Sequence, residues 1–428
     1  MSSVSNSLKA EHAPGAIVCH RRSTCRLCGG ADLELVLGLA PTPPANAFVG
    51  KEAVDTPQQV FPLDVFLCKV CSHLQLLDVV DPAHLFENYV YVSGTSPVFV
   101  NHFRRYADDV IARLAPPTDG LVVDIGSNDG TLLEFFKEGG RRVLGIDPAR
   151  DVAAAANARG IETLVGFFTP ERARAIRDSY GPASVITANN VFAHADDLAG
   201  ILAGVRVLLA PDGVFVFEVS YLVDVYAKTL FDTIYHEHLA YHSVKPLRAF
   251  LARGGMEMIE GVRVDSHGGS LRAIAQHADG PRPMDDSVAE LTALEDELGL
   301  DRATTWRDFA KRINALKDEL SSLIGGLKAA GKTVAGYGAP AKATTLMHHF
   351  GLGPDVIDFI VDDSPLKQGL YTPGHHIPVL PSAAIAERRP DYLLILAWNF
   401  AGPIMEKQAA YKAAGGHFII PLPRIEVH

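Results

Sequence analysis

The hydrophobic positions between residues 121 and 219 form short aliphatic runs that are separated by amphipathic segments. Such alternation of strands and helices is typical of a parallel sheet that helices cover on both faces. The predicted strands are 121–125, 142–146, a weaker one at 161–165, 184–188 and 213–219. The pattern therefore predicts an open α/β sheet, and ligands of such sheets bind beyond the carboxyl ends of the strands.

A second alternation of strands and helices begins near residue 332. Residues 332–342 predict a strand, a glycine turn and a helix, and further strands are predicted at 359–363, 392–397 and 417–420. Three further segments are predicted. Residues 99–114 form an amphipathic helix, and residues 256–264 and 270–276 form two antiparallel strands. Residues 285–327 are mostly helical, with one apolar stripe. The chain is therefore predicted to contain two Rossmann-like domains that face one cleft.

Composition narrows the class of protein. The chain has 428 residues, which is enough for two or three domains. Its 48% hydrophobic and 21% charged residues are typical of a soluble globular protein. The net charge of −11 argues against general nucleic-acid binding, and no apolar run approaches the length of a membrane span. The first 20 residues lack the apolar block of a signal peptide, so a cytoplasmic location is expected.

Four of the five cysteines form two C-x-x-C pairs, Cys25 with Cys28 and Cys68 with Cys71. Each pair can supply two thiolates to a tetrahedral zinc ion, and four thiolates close its coordination shell. We therefore expect a structural zinc site. His73 is a spare candidate ligand, and disulfides or buried free thiols are the alternative.

The turn after the first strand of the α/β region has the spacing Asp-x-Gly-x-x-x-Gly. It is similar to the first motif of S-adenosylmethionine (SAM) methyltransferases, and residues 208–218 are similar to another of their motifs. An acid at the end of the next strand is placed to accept ribose hydroxyls. A doubly wound protein with another ligand is the alternative. The expected cofactor-binding residues are Asp124, Gly126, Ser127, Asn128, Gly130, Asp147, Asn189 and Asn190.

A dense group of ionisable residues follows, with Tyr235, Glu237 and His238 at its centre. Such density between apolar positions predicts a catalytic cluster. The group is not the H-E-x-x-H motif of zinc proteases, because Ala240 stands where that motif has its second histidine. His238 and His242 have the i,i+4 spacing of metal ligands on a helix, so a second metal site is the alternative.

The second glycine turn, Gly336-x-Gly338, precedes a helix that is predicted to start at Pro340. Backbone N–H groups at the N-terminus of a helix, together with a lysine side chain, are positioned to bind phosphate. The expected substrate-binding residues of this turn are Gly338, Ala339 and Lys342. A purely structural glycine turn is the alternative.

Together these features resemble the nucleotide-sugar C-methyltransferases of deoxysugar biosynthesis, especially the TDP-sugar C-3′-methyltransferases of antibiotic pathways. The resemblance spans about residues 25–423, and its marks are the cysteine pairs and the segments 91–96, 126–130, 189–194, 235–238, 336–342 and 367–374. It implies an α/β chain with a zinc-binding module, a SAM-dependent methyltransferase domain and a C-terminal Rossmann-like domain that binds the nucleotide sugar. Residues 1–20 are expected to be a flexible extension and residues 21–84 the zinc-binding module. Residues 85–255 are expected to form the methyltransferase domain with a helical connector, and residues 256–428 the C-terminal domain.

The resemblance implies C-methylation of a TDP-linked 4-keto deoxysugar, with C-3′ as the expected position. Carbon has no lone pair, so a base must remove the acidic hydrogen next to the keto group before the enolate carbon attacks the methyl group. A neutral histidine suits this step near pH 7. His238 is the expected base, with Glu237 assisting it, and His194 is the alternative base. Tyr235 or Tyr91 is expected to hydrogen-bond the enolate oxygen, and Tyr91 is also expected to bind substrate.

Two other classes of function stay open. One is a SAM enzyme that methylates another carbon of a nucleotide sugar, such as C-5′, or a non-sugar acceptor. The other is a non-enzymatic module that holds partners together, and it gives the cluster around His238 no role. The expected partner is a TDP-linked keto-deoxysugar, without nucleic acid or membrane, and the chain is expected to act as a monomer.

Overall fold

A computed structural model of the chain describes residues 17–87, Gly94, 97–266 and 268–428. Its first part is a small antiparallel module. The strands β1 to β5 and the helix α1 are Cys19–Arg21, Leu33–Thr42, Phe61–Cys68, Leu74–Leu76, Asp78–Val80 and Pro82–Phe86. β1 pairs with β5, while β2, β3 and β4 form an antiparallel sheet.

The middle of the chain forms a doubly wound α/β sheet. In chain order its helices α2 to α8 are Pro97–Leu114, Thr131–Glu138, Arg150–Ala158, Pro170–Tyr180, Leu198–Leu208, Leu222–Ala227 and Val244–Arg253. Its strands β6 to β13 are Leu121–Ile125, Arg142–Asp147, Thr163–Val165, Ala183–Asn189, Leu209–Ser220, Ala240–Tyr241, Met256–Val264 and Ser270–His277. The sheet order is β12-β13-β10-β9-β6-β7-β8. All five residues of β6 are buried, as expected of a parallel strand that helices cover on both faces.

The strands β12 and β13 belong to this middle sheet. β13 pairs antiparallel with β10, from Phe215 against Ala275 to Ser220 against Ser270. The boundary that was expected after residue 255 is therefore wrong for these two strands. Seven of the eight residues of β13 are buried, on both faces of the strand, as expected of a strand inside a covered sheet. Its two edges pair with β10 and β12.

The C-terminal part is a second doubly wound sheet, preceded by two helices. Its helices α9 to α14 are Ser287–Leu298, Ala303–Ala329, Ala341–Phe350, Ala384–Arg388, Ala401–Lys407 and Ala409–Ala413. Its strands β14 to β19 are Val334–Tyr337, Ile360–Val361, Val379–Leu380, Tyr392–Ile395, His417–Ile420 and Glu426–Val427. The sheet order is β16-β15-β14-β17-β18-β19, and its first five strands repeat the order β8-β7-β6-β9-β10 of the middle sheet. Within the described ranges, none of the helices combines the length and the apolar character that crossing a bilayer requires.

The N-terminal module lies against both α/β domains. β11, from the middle of the chain, adds to the edge of the module by pairing with β4. On the other side Val49 forms backbone hydrogen bonds of 3.1 and 2.9 Å with Tyr371 of the C-terminal domain. Thr344 Oγ1 of α11 donates to the carbonyl of Ala45 at 3.0 Å. These contacts fix the module beside the segment that carries the catalytic candidates.

Candidate functional site

The four paired cysteines lie together, with all four sulfur atoms within 4.8 Å of one another. The short distances join sulfurs of different pairs, Cys25 to Cys71 at 3.7 Å and Cys28 to Cys68 at 3.5 Å. A tetrahedral zinc ion with Zn–S bonds of about 2.3 Å places its sulfurs about 3.8 Å apart. A disulfide needs a separation of about 2 Å. The cysteines therefore fit zinc and exclude the disulfide alternative.

The backbone around the first cysteine pair is shaped for a metal. Gly29 has a φ of +73°, and the N–H of Gly30 donates to Cys28 Sγ at 3.4 Å. His73, the spare candidate ligand, lies outside the cysteine group. It is fully buried and its ring stacks on that of His242, with centroids 5.5 Å apart. The four thiolates complete the coordination shell without it.

The glycines of the turn after β6 are required by backbone angle and packing. Gly126 and Gly130 have φ values of +69° and +77°. A Cβ at Gly126 would lie 2.3 Å from Val191 Cγ2, and one at Gly130 would lie 2.8 Å from Ile161 Cγ2. Glycine allows this turn because it has no side chain to meet these neighbours.

The carboxyl end of the middle sheet also presents polar groups that fit a nucleoside cofactor. Asp147 accepts the N–H groups of Asn128 and Ala149, each at 2.8 Å, and burial raises its pKa. Each carboxylate oxygen keeps a second lone pair for a ribose hydroxyl. The hydroxyl of Ser127 is buried without a hydrogen-bond partner among the described residues. A bound cofactor would supply the missing partner.

Three further predicted cofactor residues lie at the same edge of the sheet. Asp124 is 4% exposed and accepts a hydrogen bond of 2.6 Å from Thr187 Oγ1, while burial raises its pKa to about 7. Asn189 ends β9, and Asn190 follows it with a φ of +54°. The N–H of Asn190 donates to the carbonyl of Glu218 at 2.8 Å. Cofactor contact by these three side chains stays a prediction.

The catalytic candidates meet because the segment before β11 is bound to the turn after β9. The carbonyl of Ala193 accepts the N–H groups of Leu239 and Ala240, at 3.0 and 3.1 Å. This contact places the ring centroids of His194 and His238 4.8 Å apart. The two candidate bases therefore lie side by side at the carboxyl edge of the middle sheet.

His238 has the protonation state that a base needs. Its Nδ1 lies 2.7 Å from the carbonyl oxygen of Thr233, which can only accept, so Nδ1 carries the hydrogen and Nε2 the lone pair. Burial lowers the pKa of His238 to about 4, so the ring is neutral near pH 7. Thr233 was not predicted, since a backbone carbonyl leaves no mark in a sequence.

Tyr235 and Glu237, the two other catalytic candidates of this segment, have different surroundings. The ring of Tyr235 lies 4.1 Å from that of His238, centroid to centroid, so Tyr235 lies directly beside the candidate base. Glu237 is 2% exposed and accepts a hydrogen bond of 2.8 Å from Asn46 Nδ2 of the N-terminal module. Asn46 was not predicted. Tyr91 lies outside the described residues.

The second metal site has no geometric basis. Residues 235–238 form a turn rather than a helix, so His238 and His242 do not share a helix face. His242 is fully buried, and its ring stacks on that of Phe192 with centroids 5.7 Å apart. Its Nε2 lies 3.3 Å from the carbonyl oxygen of Phe192. This histidine is a packing residue.

The second glycine turn differs from a simple open phosphate site. Gly338 has a φ of +84°, but the N–H of Ala339 already donates to Asp362 Oδ2 at 2.7 Å. A phosphate at this N–H group must therefore displace Asp362 or bind beside it. The ammonium of Lys342 lies 3.8 Å from the ring centroid of Trp398. Phosphate binding by these residues stays a prediction.

Comparison with known proteins covers nearly the whole chain. Residues 25–86, 99–260 and 265–423 match family models described as a zinc binding domain, a methyltransferase domain and a C-methyltransferase C-terminal domain. The chain is 39% identical to the C-methyltransferase NovU of Streptomyces niveus over 403 residues, which cover 94% of this chain and 96% of NovU. The chain belongs to the SAM-dependent C-methyltransferase family. The three-part fold and the cofactors SAM and zinc are thereby confirmed.

This C-methyltransferase is also similar to more distant proteins. An uncharacterized methyltransferase of Staphylococcus carnosus is 32% identical over 78 residues, which cover 18% of this chain and 37% of that protein. A solved structure of magnesium protoporphyrin IX methyltransferase from Synechocystis with bound SAH is 17% identical, with a TM-score of 0.33. The match covers 42% of this chain and 84% of that one.

Replacing Asp147 with alanine is expected to weaken SAM binding by roughly 1–3 kcal/mol, the scale for losing hydrogen bonds to a charged group. The change removes the acceptor that we place at the ribose hydroxyls. Isothermal calorimetry with SAM measures the loss. Asp151→Ala, which removes an exposed acid in the first turn of α4, is the matched control. Equal affinities in the two variants would show that the ribose lies elsewhere.

Proposed function

We propose that this C-methyltransferase methylates C-3′ of a TDP-linked 4-keto deoxysugar. The observation that carries the proposal is the imidazole of His238, whose Nδ1 lies 2.7 Å from the carbonyl oxygen of Thr233 at the carboxyl edge of the middle sheet. C-methylation needs a base at this place, whereas O- or N-methylation begins from an acceptor that already has a lone pair. The 39% identity to NovU supports carbon as the acceptor.

In this proposal His238 and Tyr235 have different roles. Nε2 of His238 takes the proton from the carbon next to the keto group, and the electron pair of that C–H bond forms the enolate. Tyr235 is close enough to the imidazole to share the substrate, and its hydroxyl donates to the enolate oxygen. When bound, SAM would supply an electrophilic methyl group to the enolate carbon, and the electron pair of the broken S–C bond would stay on sulfur, which leaves SAH. His238 would keep the proton until it exchanges with water.

The C-terminal domain is proposed to hold the nucleotide diphosphate. It repeats the strand order of the cofactor domain, and its own glycine turn precedes α11. Lys342 lies in the first turn of that helix, where a cation and the N-terminus of the helix both favour an anion. The repeated fold thus offers a second nucleotide site in a chain whose first site takes the cofactor.

Replacing Lys342 with methionine is expected to raise KM for a TDP-sugar while leaving SAM affinity unchanged. Methionine keeps most of the apolar stem and removes the charge. Steady-state kinetics and SAM calorimetry measure the two effects. The control is Lys332→Met, because Lys332 lies before the amino end of β14 and pairs with Asp391 at 3.0 Å. If Lys342→Met loses affinity for both ligands equally, the lysine stabilises the fold instead.

Two measurements test the proposed function. Titrations with SAM and with TDP test the class of acceptor: both bind under our proposal, whereas SAM alone binds in an enzyme with a non-nucleotide acceptor. Incubation with SAM and a panel of TDP-4-keto sugars, followed by mass and NMR analysis of the product, then gives the methylated carbon. A product methylated at C-5′, on oxygen or on nitrogen would contradict the proposed position.

A further inference from the structure

We propose that Trp398 and Asp232 are positioning residues that couple the nucleotide site to His238. This inference rests on the proposed function, since it takes Lys342 as a ligand of the diphosphate and His238 as the base. Neither residue of the pair needs to touch the substrate. Each acts through the carbonyl of Thr233, the group that orients His238.

The first observation is a buried carboxylate on the residue that precedes Thr233. Asp232 directly precedes Thr233 and is 0% exposed. Its Oδ2 accepts a hydrogen bond of 2.6 Å from the indole Nε1 of Trp398, which belongs to the C-terminal domain. Its Oδ1 has no hydrogen-bond partner in the described part of the chain. A buried carboxylate is costly unless a nearby positive charge or donor compensates it. Burial raises the pKa of Asp232, and the charge of Lys342 and the hydrogen bond from Trp398 oppose that shift.

The second observation is a half-buried cation on the same indole. The ammonium of Lys342 lies 3.8 Å from the ring centroid of Trp398, where the negative face of the ring attracts it. The N–H edge of the ring meanwhile points to Asp232. Burial lowers the pKa of Lys342, and the charge of Asp232 opposes that shift. The indole of Trp398 therefore connects Lys342 of the proposed nucleotide site to Asp232 of the segment that carries His238.

The third observation is that α11 holds the other side of Thr233. Thr345, on the helix that begins at the nucleotide site, is fully buried, and its Oγ1 donates to the carbonyl of Ile234 at 2.7 Å. The residues before and after Thr233 are thus both tied to the C-terminal domain. The position of the Thr233 carbonyl, and with it the orientation of His238, depends on how that domain is seated. A diphosphate that attracts Lys342 acts on these ties.

The chain offers a matched pair of variants, because it contains only two tryptophans, Trp306 and Trp398. Trp398→Phe keeps a ring for Lys342 and removes the donor to Asp232. It is expected to lower kcat and substrate deuterium exchange roughly 10–100-fold, the scale of a small misplacement of a catalytic group, with SAM affinity unchanged. Trp306→Phe is the control. The buried Nε1 of Trp306, a residue of α10, donates to the carbonyl of Leu300 at 2.9 Å, so this variant loses a similar hydrogen bond away from the site. Equal kcat in the two variants would overturn the proposal.

A second measurement keeps the proposal testable even if Trp398→Phe does not fold. In the Trp306→Phe enzyme Trp398 is the only tryptophan, so its fluorescence reports on this junction. Titration with TDP is expected to change that emission, with saturation at the concentration that calorimetry gives for binding. Binding by calorimetry without any emission change would overturn the coupling alone. Absence of TDP binding by calorimetry would overturn the nucleotide site of the proposed function, and the coupling with it.

Discussion

Replacing His238 with asparagine is expected to lower kcat about 10²–10⁴-fold, the usual contribution of a general base. In the unaltered enzyme the carbonyl of Thr233 accepts a hydrogen bond of 2.7 Å from Nδ1–H of the imidazole. The amide of asparagine can still donate to this carbonyl. The variant therefore keeps the structural hydrogen bond and loses the lone pair of Nε2. SAM and TDP-sugar affinities, measured by calorimetry, are expected to stay close to those of the unaltered enzyme.

Hydrogen exchange separates the base from the methyl transfer. With SAH in place of SAM, the unaltered enzyme is expected to exchange the acidic substrate hydrogen for deuterium from the solvent, because enolate formation does not need the methyl group. His238→Asn is expected to lose this exchange, and His194→Asn is expected to keep it. NMR of the recovered substrate measures both. The reverse outcome would assign the base to His194, whose ring lies 4.8 Å away, and would leave the enolate mechanism standing.

The pKa of His238 also determines a direction with pH. Burial lowers that pKa to about 4, so the imidazole is neutral above this value and protonated below it. Only the neutral ring can accept the substrate proton. The contribution of His238 to kcat is therefore fully present near pH 7 and is lost as the pH falls through about 4.

The secondary structure was largely predictable, while the assembly of the domains was not. The bounds predicted for strand β6 agree with those observed, because a mostly apolar, β-branched run between turn residues is a strong local signal. The apolar stripe of α10 was predicted for the same reason, and Trp306 and Ile313 of that stripe are buried. The placement of β13 beside β10 depends on a pairing between distant strands, for which local periodicity has no signal.

The candidate site shows the same division. The cysteine pairs, the glycine turn and the group around His238 were visible as residue types at meaningful spacings. The contacts that orient His238 were not, because they use the carbonyls of Thr233 and Ala193, and every residue has a carbonyl. Asn46 also could not be found, since a single asparagine in a loop is ordinary until the fold brings it to Glu237.

A residue between the first two cysteines contacts the segment that carries His238. Arg26 lies between Cys25 and Cys28, and its side chain is fully buried. Its Nη1 donates to the carbonyl of Leu239 at 3.2 Å, one residue after His238. A metal that holds the two cysteines would therefore also hold the arginine, so we expect zinc to affect catalysis through the shape of the module and not by contact with substrate.

Replacing Cys68 with serine is expected to remove the zinc ion and to unfold the N-terminal module. Zinc binding by four thiolates contributes about 10–16 kcal/mol in small zinc domains, far more than a module of this size can replace. Because Arg26 and Asn46 both belong to the module, kcat is expected to fall more than SAM affinity. Elemental analysis, SAM calorimetry and hydrogen–deuterium exchange of β4 and residues 235–241 measure the three effects.

The fifth cysteine supplies the control for this experiment. Cys19 lies in β1, outside the group of four, so Cys19→Ser is expected to keep one zinc ion per chain and full activity. If Cys68→Ser also keeps its zinc, the ligand set is wrong. If it loses zinc but keeps both kcat and the slow exchange of residues 235–241, the module is not what orients His238. The ties to the C-terminal domain through Trp398 and Thr345 would then hold the catalytic segment by themselves.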